Sequence, residues 1–135
     1  GRFTHMGVEP YSLMAALNGV AAQRLLRLNC PVCSASVAPS AELLRRSGIA
    51  NGEGWRFLAG KGCGACRGTG YKGRIAVAEI LPLDDLLREM IVAREPVRRI
   101  KETAYAAGMR PLRELALDLV RAGRTSLEEV NRVVA

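Results

Sequence analysis

The sequence is poor in aromatic side chains, has a single histidine and contains no long hydrophobic run. Aromatic residues make up 4% of the chain, so a core has to be built mainly from Leu, Val, Ile and Ala. No apolar run approaches the roughly 18 residues that a membrane-spanning helix needs. The one histidine, His5, lies far in sequence from every cysteine, which favours a surface position. The chain offers no set of nucleophile, base and orienting group that could support catalysis.

The composition is otherwise that of a globular domain with an excess of basic residues. Of 135 residues, 49% are hydrophobic and 24% are charged, enough for one domain with a modest core. Twenty Lys and Arg against 13 Asp and Glu give a net charge of +7, with the cysteines counted as neutral. Four thiolates on one Zn²⁺ would lower this to about +5. A basic surface favours an anionic partner such as acidic lipid, nucleic acid or an acidic protein face.

Hydrophobic spacing predicts an α+β chain that is mostly helical. The apolar residues between 10 and 28 recur with a period near 3.6 and predict a long helix that ends before Cys30. The run RIAVAEIL at 74–81 predicts a buried strand, and 55–58 predicts a shorter one. Further helices are predicted at 83–91, 97–107, 112–120 and 127–134.

Capping signals mark the ends of several of these helices. Ser40 is placed to cap a short helix that contains Leu43 and Leu44. Ser126 and Glu129 form a capping-box pattern at the start of the last helix. Gly108 and Gly123 stand where helices end with a left-handed residue.

The four cysteines form two C-x-x-C pairs, Cys30 with Cys33 and Cys63 with Cys66, separated by 29 residues. Each pair can present two sulfurs on one side of a tight turn, and zinc takes four such ligands in a tetrahedron. Gly64 is predicted to let backbone amides approach the sulfurs closely. The spacing therefore predicts one structural zinc ion that uses all four cysteines.

Three alternatives to zinc remain open at the level of sequence. Two disulfides would suit an exported protein, for which the sequence gives no indication. A redox C-x-x-C usually starts a helix in a βαβ unit, and that context is missing. Iron–sulfur ligation is also available to four thiolates.

The region around the second cysteine pair is rich in glycine and in basic residues. Residues 68–73 match G-x-G-x-x-G, but the motif precedes a predicted strand rather than a helix, so it indicates a turn. Gly60-Lys61 is not a phosphate-binding loop, because Gly62 stands where Ser or Thr would be needed. The basic stretch is either a solvated surface or an anion-facing patch; its members are Arg56, Lys61, Arg67, Lys72 and Arg74.

Three segments of the chain resemble a known family. They are MGVEPYSLMAALNGVAAQRLLRLNCPVC, GCGACRGTGYKGRIAVAEIL and GMRPLRELALDLVRAGRTSLEEV. The most specific motifs are A-Q-R-L before the first cysteine pair and G-Y-K-G-R after the second. Together they resemble the C-terminal part of the type II secretion and type IV pilus assembly ATPases, over nearly the whole chain.

This resemblance implies a cytoplasmic hexameric motor, peripheral to the bacterial inner membrane, with a RecA-like P-loop ATPase domain. The chain, which starts at Gly1 without a Met, is then expected to be a fragment, with the ATP and Mg²⁺ site upstream. Residues 1–28 would hold the last helix of the ATPase core, 29–73 an inserted tetracysteine zinc module, and 74–135 a returning strand and a helical subdomain. The fragment alone is expected to be inactive.

The implied partners are five further copies of the chain, inner-membrane secretion or pilus platform proteins and, as a candidate, acidic phospholipid. Nucleic acid is not expected. Two other functions remain as alternatives. The second cysteine pair fits C-x-x-C-x-G-x-G, which resembles the peptide-binding zinc domain of DnaJ-type chaperones, although the first pair breaks that pattern. A nucleic-acid-binding zinc ribbon would suit the basic charge, but Trp55 and Phe57 are the only aromatics between Tyr11 and Tyr71.

Overall fold

The structure, a computed structural model, describes residues 19–50 and 52–134. Among these residues no helix is long and apolar enough to cross a membrane. The mixture of helices and strands confirms the predicted α+β class. The strands are β1 (Val20–Asn29), β2 (Ser34–Ser36), β3 (Leu58–Gly60) and β4 (Tyr71–Ile80). The helices are α1 (Ala41–Arg46), α2 (Asp85–Val92), α3 (Val97–Ala106), α4 (Leu112–Arg121) and α5 (Leu127–Val133).

The strands form two small sheets of two strands each. β1 pairs with β4, and β2 pairs with β3. The second pair is antiparallel, with Ser34 opposite Gly60 and Ser36 opposite Leu58. β1 precedes the first cysteine pair and β4 follows the second, whereas β2 and β3 lie between the two pairs. The two sheets therefore bring distant parts of the sequence together.

The helix predicted over residues 10–28 is wrong from Val20 onward, where the chain forms β1; residues 10–18 lie outside the described residues. Ala22 and Leu26 are the buried apolar residues of β1. The apolar face predicted for the helix included Leu25 and Leu28, but Leu25 is exposed in the strand, so the periodicity selected the wrong face. Pairing with the Ile- and Val-containing strand β4 overrides the helix propensity of this Ala- and Leu-rich segment.

The other element predictions are largely confirmed. The strand predicted at 74–81 is β4, although it begins three residues earlier at Tyr71. The short strand predicted at 55–58 starts only at Leu58. All four later helices are present, and α1 is capped as predicted, because Ser40 Oγ accepts a hydrogen bond from Leu43 N–H at 3.0 Å. Gly108 and Gly123 end α3 and α4 in the left-handed conformation, with φ of 112° and 80°.

The described residues divide into two compact units. The first contains 19–23 and 78–112, and its buried core lies between α2, α3 and the segment after β4. That core is made of Leu81, Leu87, Met90, Ile100, Ala104 and Met109. The second contains 24–77 and 113–134, and it holds all four cysteines. The boundaries predicted after residues 28 and 73 concern the longer protein and stay a prediction.

A buried carboxylate organises the first unit. Glu79, on β4, accepts hydrogen bonds from the Tyr105 hydroxyl at 2.7 Å and from the Leu112 N–H at 2.9 Å. Lys101 Nζ lies 3.3 Å from its other oxygen. Burial opposes the charge, but these partners outweigh it and lower the pKa of Glu79. Burial and the hydrogen bond to the Glu79 carboxylate raise the pKa of Tyr105 to about 12.

A second buried carboxylate, Glu129 on α5, connects α5 to β1 within the second unit. Its side chain is fully buried and accepts hydrogen bonds from the Arg27 backbone N–H and guanidinium and from the Arg132 guanidinium, at 2.9–3.1 Å. Arg27 also lies 4.2 Å from the centre of the Tyr71 ring. The capping box is thus half confirmed: Ser126 Oγ accepts from Glu129 N–H at 3.0 Å, whereas the Glu129 carboxylate binds arginines.

We predict that Glu129→Gln lowers the free energy of unfolding by about 2 kcal/mol at neutral pH. This loss is smaller than the pKa shift of Glu129 would give by itself, because Arg27 and Arg132 are both partly exposed to solvent. Burial opposes ionisation, but the two arginines lower the pKa of Glu129 from its usual 4.5 to about 2. Its contribution is therefore complete above pH 4.5 and is lost as the pH falls towards 2. Chemical denaturation at a series of pH values measures this.

The matched control is Glu128→Gln, which removes the same charge from an exposed neighbour on α5. It should leave nearly unchanged both the free energy of unfolding at neutral pH and its decrease at acidic pH. Equal effects of the two substitutions would contradict the role of the buried Glu129 carboxylate in holding α5 against β1.

Candidate metal centre

The pairing of the strands explains how the two C-x-x-C turns meet. The first turn follows the end of β1 at Asn29 and precedes β2 at Ser34. The second follows β3, which ends at Gly60, and precedes β4 at Tyr71. Because β1 pairs with β4 and β2 pairs with β3, the two C-x-x-C turns lie side by side.

The four sulfurs lie at the separations of a tetrahedral metal site. Cys30 Sγ is 3.8 Å from Cys63 Sγ, and Cys66 Sγ is 3.8 Å from both Cys33 Sγ and Cys63 Sγ. All four lie within 4.8 Å of one another. A tetrahedron with zinc–sulfur bonds near 2.3 Å has edges of about 3.8 Å. All four cysteines are free thiols, and a disulfide would need a sulfur–sulfur distance near 2.05 Å, so the disulfide alternative finds no support.

Backbone amides converge on the sulfurs, including those of Cys33 and Cys66. Gly62 N–H donates to Cys33 Sγ at 3.2 Å. Cys66 Sγ accepts from Cys63 N–H at 3.2 Å and from Gly70 N–H at 3.1 Å. Such bonds stabilise the thiolate form, which is the form that binds a metal.

The role predicted for Gly64 is wrong, because the amides that reach the sulfurs of Cys33 and Cys66 belong to Gly62, Cys63 and Gly70. A Cβ at Gly64 would meet no atom within 4 Å, so this position does not need glycine for space. Gly62 and Gly70 do need it, since both have positive φ, 102° and 83°. The sequence shows glycine at both positions, but the bonds depend on how the two turns face each other.

The thiols respond to these surroundings in opposite directions. Burial raises the pKa of Cys33 to about 11. Burial also opposes ionisation of Cys66, but the hydrogen bonds from Cys63 N–H and Gly70 N–H outweigh it and lower its pKa to about 6. Four neighbouring thiols cannot all ionise without a cation, because their charges repel one another. A bound divalent cation would remove that penalty, and binding would release protons.

A side chain beside the cluster, missed by sequence analysis, ties it to the end of α4. Asn29 Nδ2 donates to the carbonyl oxygens of Leu58 and Gly123, at 3.1 Å each. The Asn29 backbone N–H donates to Arg124 O at 2.8 Å. These bonds link the residue before Cys30 to β3 and to the turn after α4. A single Asn carries no sequence signal for such a role.

The G-x-G-x-x-G match begins in a turn and ends in a strand. Residues 68–70 lie in the turn after the second cysteine pair and 71–73 are the first residues of β4, so the predicted turn is confirmed for the first half of the motif. All five residues of the basic stretch are exposed. The second unit carries 13 Arg and Lys against six Asp and Glu, a net charge of +7, whereas the described residues of the first unit carry six of each. The net charge of the chain therefore lies in the unit that holds the cysteines.

The four cysteines form a cluster that could hold a metal ion, and comparison with known proteins places the chain in a family. The family described as Type II/IV secretion system protein matches residues 1–132. The chain is 48% identical over 131 residues to the type IV pilus assembly ATPase PilB of Thermus thermophilus. It is 37% identical over 132 residues to the type II secretion system ATPase E of Vibrio cholerae and 36% identical over 132 residues to the type II secretion system protein HxcR of Pseudomonas aeruginosa.

The chain therefore belongs to the type II/IV secretion system protein family, which confirms the resemblance of its three segments. The alignments cover 96–98% of this chain but only 15%, 26% and 24% of the Thermus, Vibrio and Pseudomonas proteins. The chain thus spans about a quarter or less of the length of these relatives.

Proposed function

We propose that this chain is the C-terminal, zinc-binding portion of a hexameric ATPase that powers type II protein secretion or type IV pilus assembly. The observation that carries the proposal is the tetrahedral arrangement of Cys30, Cys33, Cys63 and Cys66 in a chain of this family. Relatives that match over nearly the whole chain are named as secretion or pilus assembly ATPases. ATP and Mg²⁺ would bind to residues outside this chain.

Zinc is the metal best suited to this donor set. Four thiolates at tetrahedral separations fill the coordination sphere of Zn²⁺ and leave no position for a water, so the ion would be structural and not catalytic. When bound, it supplies a cross-link between the two C-x-x-C turns. The chain's own residues supply the ligands and the amide hydrogen bonds that stabilise them.

The remaining parts of the proposal concern the longer protein. β4 would be a returning strand of a RecA-like motor sheet, between a zinc module at 29–73 and a helical subdomain at 74–135. The hexamer would act in the cytoplasm at the inner membrane, with platform proteins of the secretion or pilus machinery as partners. Acidic phospholipid is a further candidate partner, because the excess positive charge lies in the unit that holds the four cysteines.

Two observations weigh against the other candidate functions. A chaperone zinc domain of the DnaJ type pairs four cysteine motifs into two sites, whereas all four cysteines of this chain converge on one. A single-strand-binding ribbon needs aromatic faces open to bases. Here Trp55 stacks on Phe57 at 5.5 Å, and Arg121 lies over the Trp55 ring at 4.8 Å.

We predict one zinc per chain, lost on substitution of Cys33→Ser or Cys66→Ser. Loss of the metal should loosen residues 24–77 and 113–134 more than 78–112, because the first two ranges form the unit that holds the cluster. Elemental analysis and hydrogen exchange measure the two effects. The Asn29 and Glu129 contacts extend the expected effect beyond the segment between the cysteine pairs, to α4 and α5.

The matched control is Val32→Ser, which changes an exposed side chain between the two ligands of the first turn. It should retain the zinc and the exchange pattern. The proposal is falsified if carefully reduced protein contains no zinc, or if its cysteines are paired as disulfides.

We predict that the purified chain does not hydrolyse ATP, since it contains no phosphate-binding loop motif. The measurement is steady-state phosphate release at saturating ATP and Mg²⁺, compared with a reaction without protein. Turnover that survives repurification on a second column would contradict the placement of the ATP site outside this chain.

We predict that the chain binds vesicles containing anionic lipid and that binding weakens as salt rises. Arg67→Glu with Lys72→Glu should reduce the affinity at least about tenfold, because each basic side chain near the surface contributes about 1 kcal/mol. The control pair, Arg98→Glu with Arg99→Glu, makes the same charge change in the neutral first unit and should have less effect. Equal binding to neutral vesicles would show that the basic stretch is an ordinary solvated surface.

A further inference from the structure

Two glycines, Gly60 at the end of β3 and Gly70 just before β4, bring their backbones into direct contact beside the metal centre. A Cβ built on Gly60 would lie 2.0 Å from Gly70 O, and one built on Gly70 would lie 2.6 Å from Gly60 O. Both separations are far below contact distance, so no side chain fits at either position. The two backbones can approach this closely only because both residues are glycine.

Gly70 connects the two C-x-x-C turns through its own peptide groups. Its N–H donates to Cys66 Sγ at 3.1 Å, in the second turn. Its carbonyl oxygen accepts from Cys30 N–H at 2.9 Å, at the start of the first turn. One residue therefore fixes a sulfur of one turn against the backbone of the other.

Gly60 holds the opposite side of the same contact. It pairs with Ser34, the residue after Cys33, in the sheet of β2 and β3. The next residue, Lys61, donates its N–H to Cys33 O at 3.2 Å. Displacement of Gly60 from Gly70 would thus move the turn that carries Cys33 relative to the turn that carries Cys66, whose sulfurs lie 3.8 Å apart.

We propose that the Gly60–Gly70 contact is the positioning element of the metal centre: it sets the distance between the two C-x-x-C turns and directs the Gly70 N–H at the Cys66 thiolate. The proposal rests on the proposed zinc function. Gly60 and Gly70 touch no metal themselves; they act through the cysteines. Residues that orient metal ligands in this way typically change metal affinity roughly 10- to 100-fold when they are altered.

The first test compares two alanine substitutions of glycines that both lack positive φ. Gly60→Ala places a Cβ against Gly70 O, whereas Gly64→Ala, between two ligands, places it in open space. Zinc affinity is measured by competition with a chromophoric chelator. Gly60→Ala should weaken binding at least about tenfold, and Gly64→Ala should change it less than about twofold.

A spectroscopic readout separates positioning from general destabilisation. In Co²⁺-loaded protein, Gly60→Ala should alter the sulfur-to-cobalt charge-transfer and ligand-field bands, while Gly64→Ala leaves them as in the parent chain. The parent chain loaded with ¹¹³Cd provides a test that needs no variant. The Gly70 amide should show scalar coupling to ¹¹³Cd through its hydrogen bond to Cys66 Sγ.

The outcomes distinguish this inference from the proposed function. Absence of zinc from the parent chain would remove the zinc function itself. A parent chain that binds zinc but shows no ¹¹³Cd coupling at Gly70 would overturn the positioning role, whether or not the Gly60 variant folds. So would a Gly60→Ala variant whose zinc affinity and cobalt spectrum match those of the parent.

Discussion

The second unit depends on one constraint: four sulfurs must be held about 3.8 Å apart, the spacing of a tetrahedral ion. Two strand pairings supply that constraint, because each C-x-x-C turn joins a strand of one sheet to a strand of the other. Few apolar side chains assist them. Among the described residues between 31 and 76, the buried apolar side chains are those of Ile49 and Cys66. Ordering each residue costs about 1–2 kcal/mol of backbone entropy. A bound zinc ion contributes roughly 10–16 kcal/mol in zinc-finger peptides, so metal binding would determine whether this segment is ordered.

Polar contacts connect the cluster to the helices that follow. Asn29 joins the start of the first turn to the end of α4, and Glu129 joins α5 to β1 through Arg27. The first unit is held differently, by an apolar core and by one buried carboxylate, Glu79 on β4, which accepts a hydrogen bond from the Leu112 N–H at the start of α4. The chain thus combines a conventional core in one unit with a cluster of ligands and ion pairs in the other. The excess positive charge lies in the second unit, which also holds the proposed zinc site.

Much of this arrangement could be predicted from local patterns. The later helices, the Ser40 cap, the glycine ends of α3 and α4, and the proximity of the four cysteines all follow from spacing and turn chemistry. The rest depends on contacts between residues far apart in sequence. The helix prediction over β1 rested on the spacing of apolar residues such as Leu25 and Leu28. The strand instead buries Ala22 and Leu26 and is fixed by its pairing with β4. The importance of Gly70 likewise arises from its contact with Gly60, ten residues away.

The central claim is that one zinc ion bound by four sulfurs holds the cysteine-containing unit together. X-ray absorption at the zinc edge of the purified, reduced chain tests it most directly. The account predicts a single shell of four sulfur atoms near 2.3 Å, with no nitrogen or oxygen ligand. A shell containing nitrogen or oxygen in place of one or more sulfurs would contradict it, as would protein that contains no zinc.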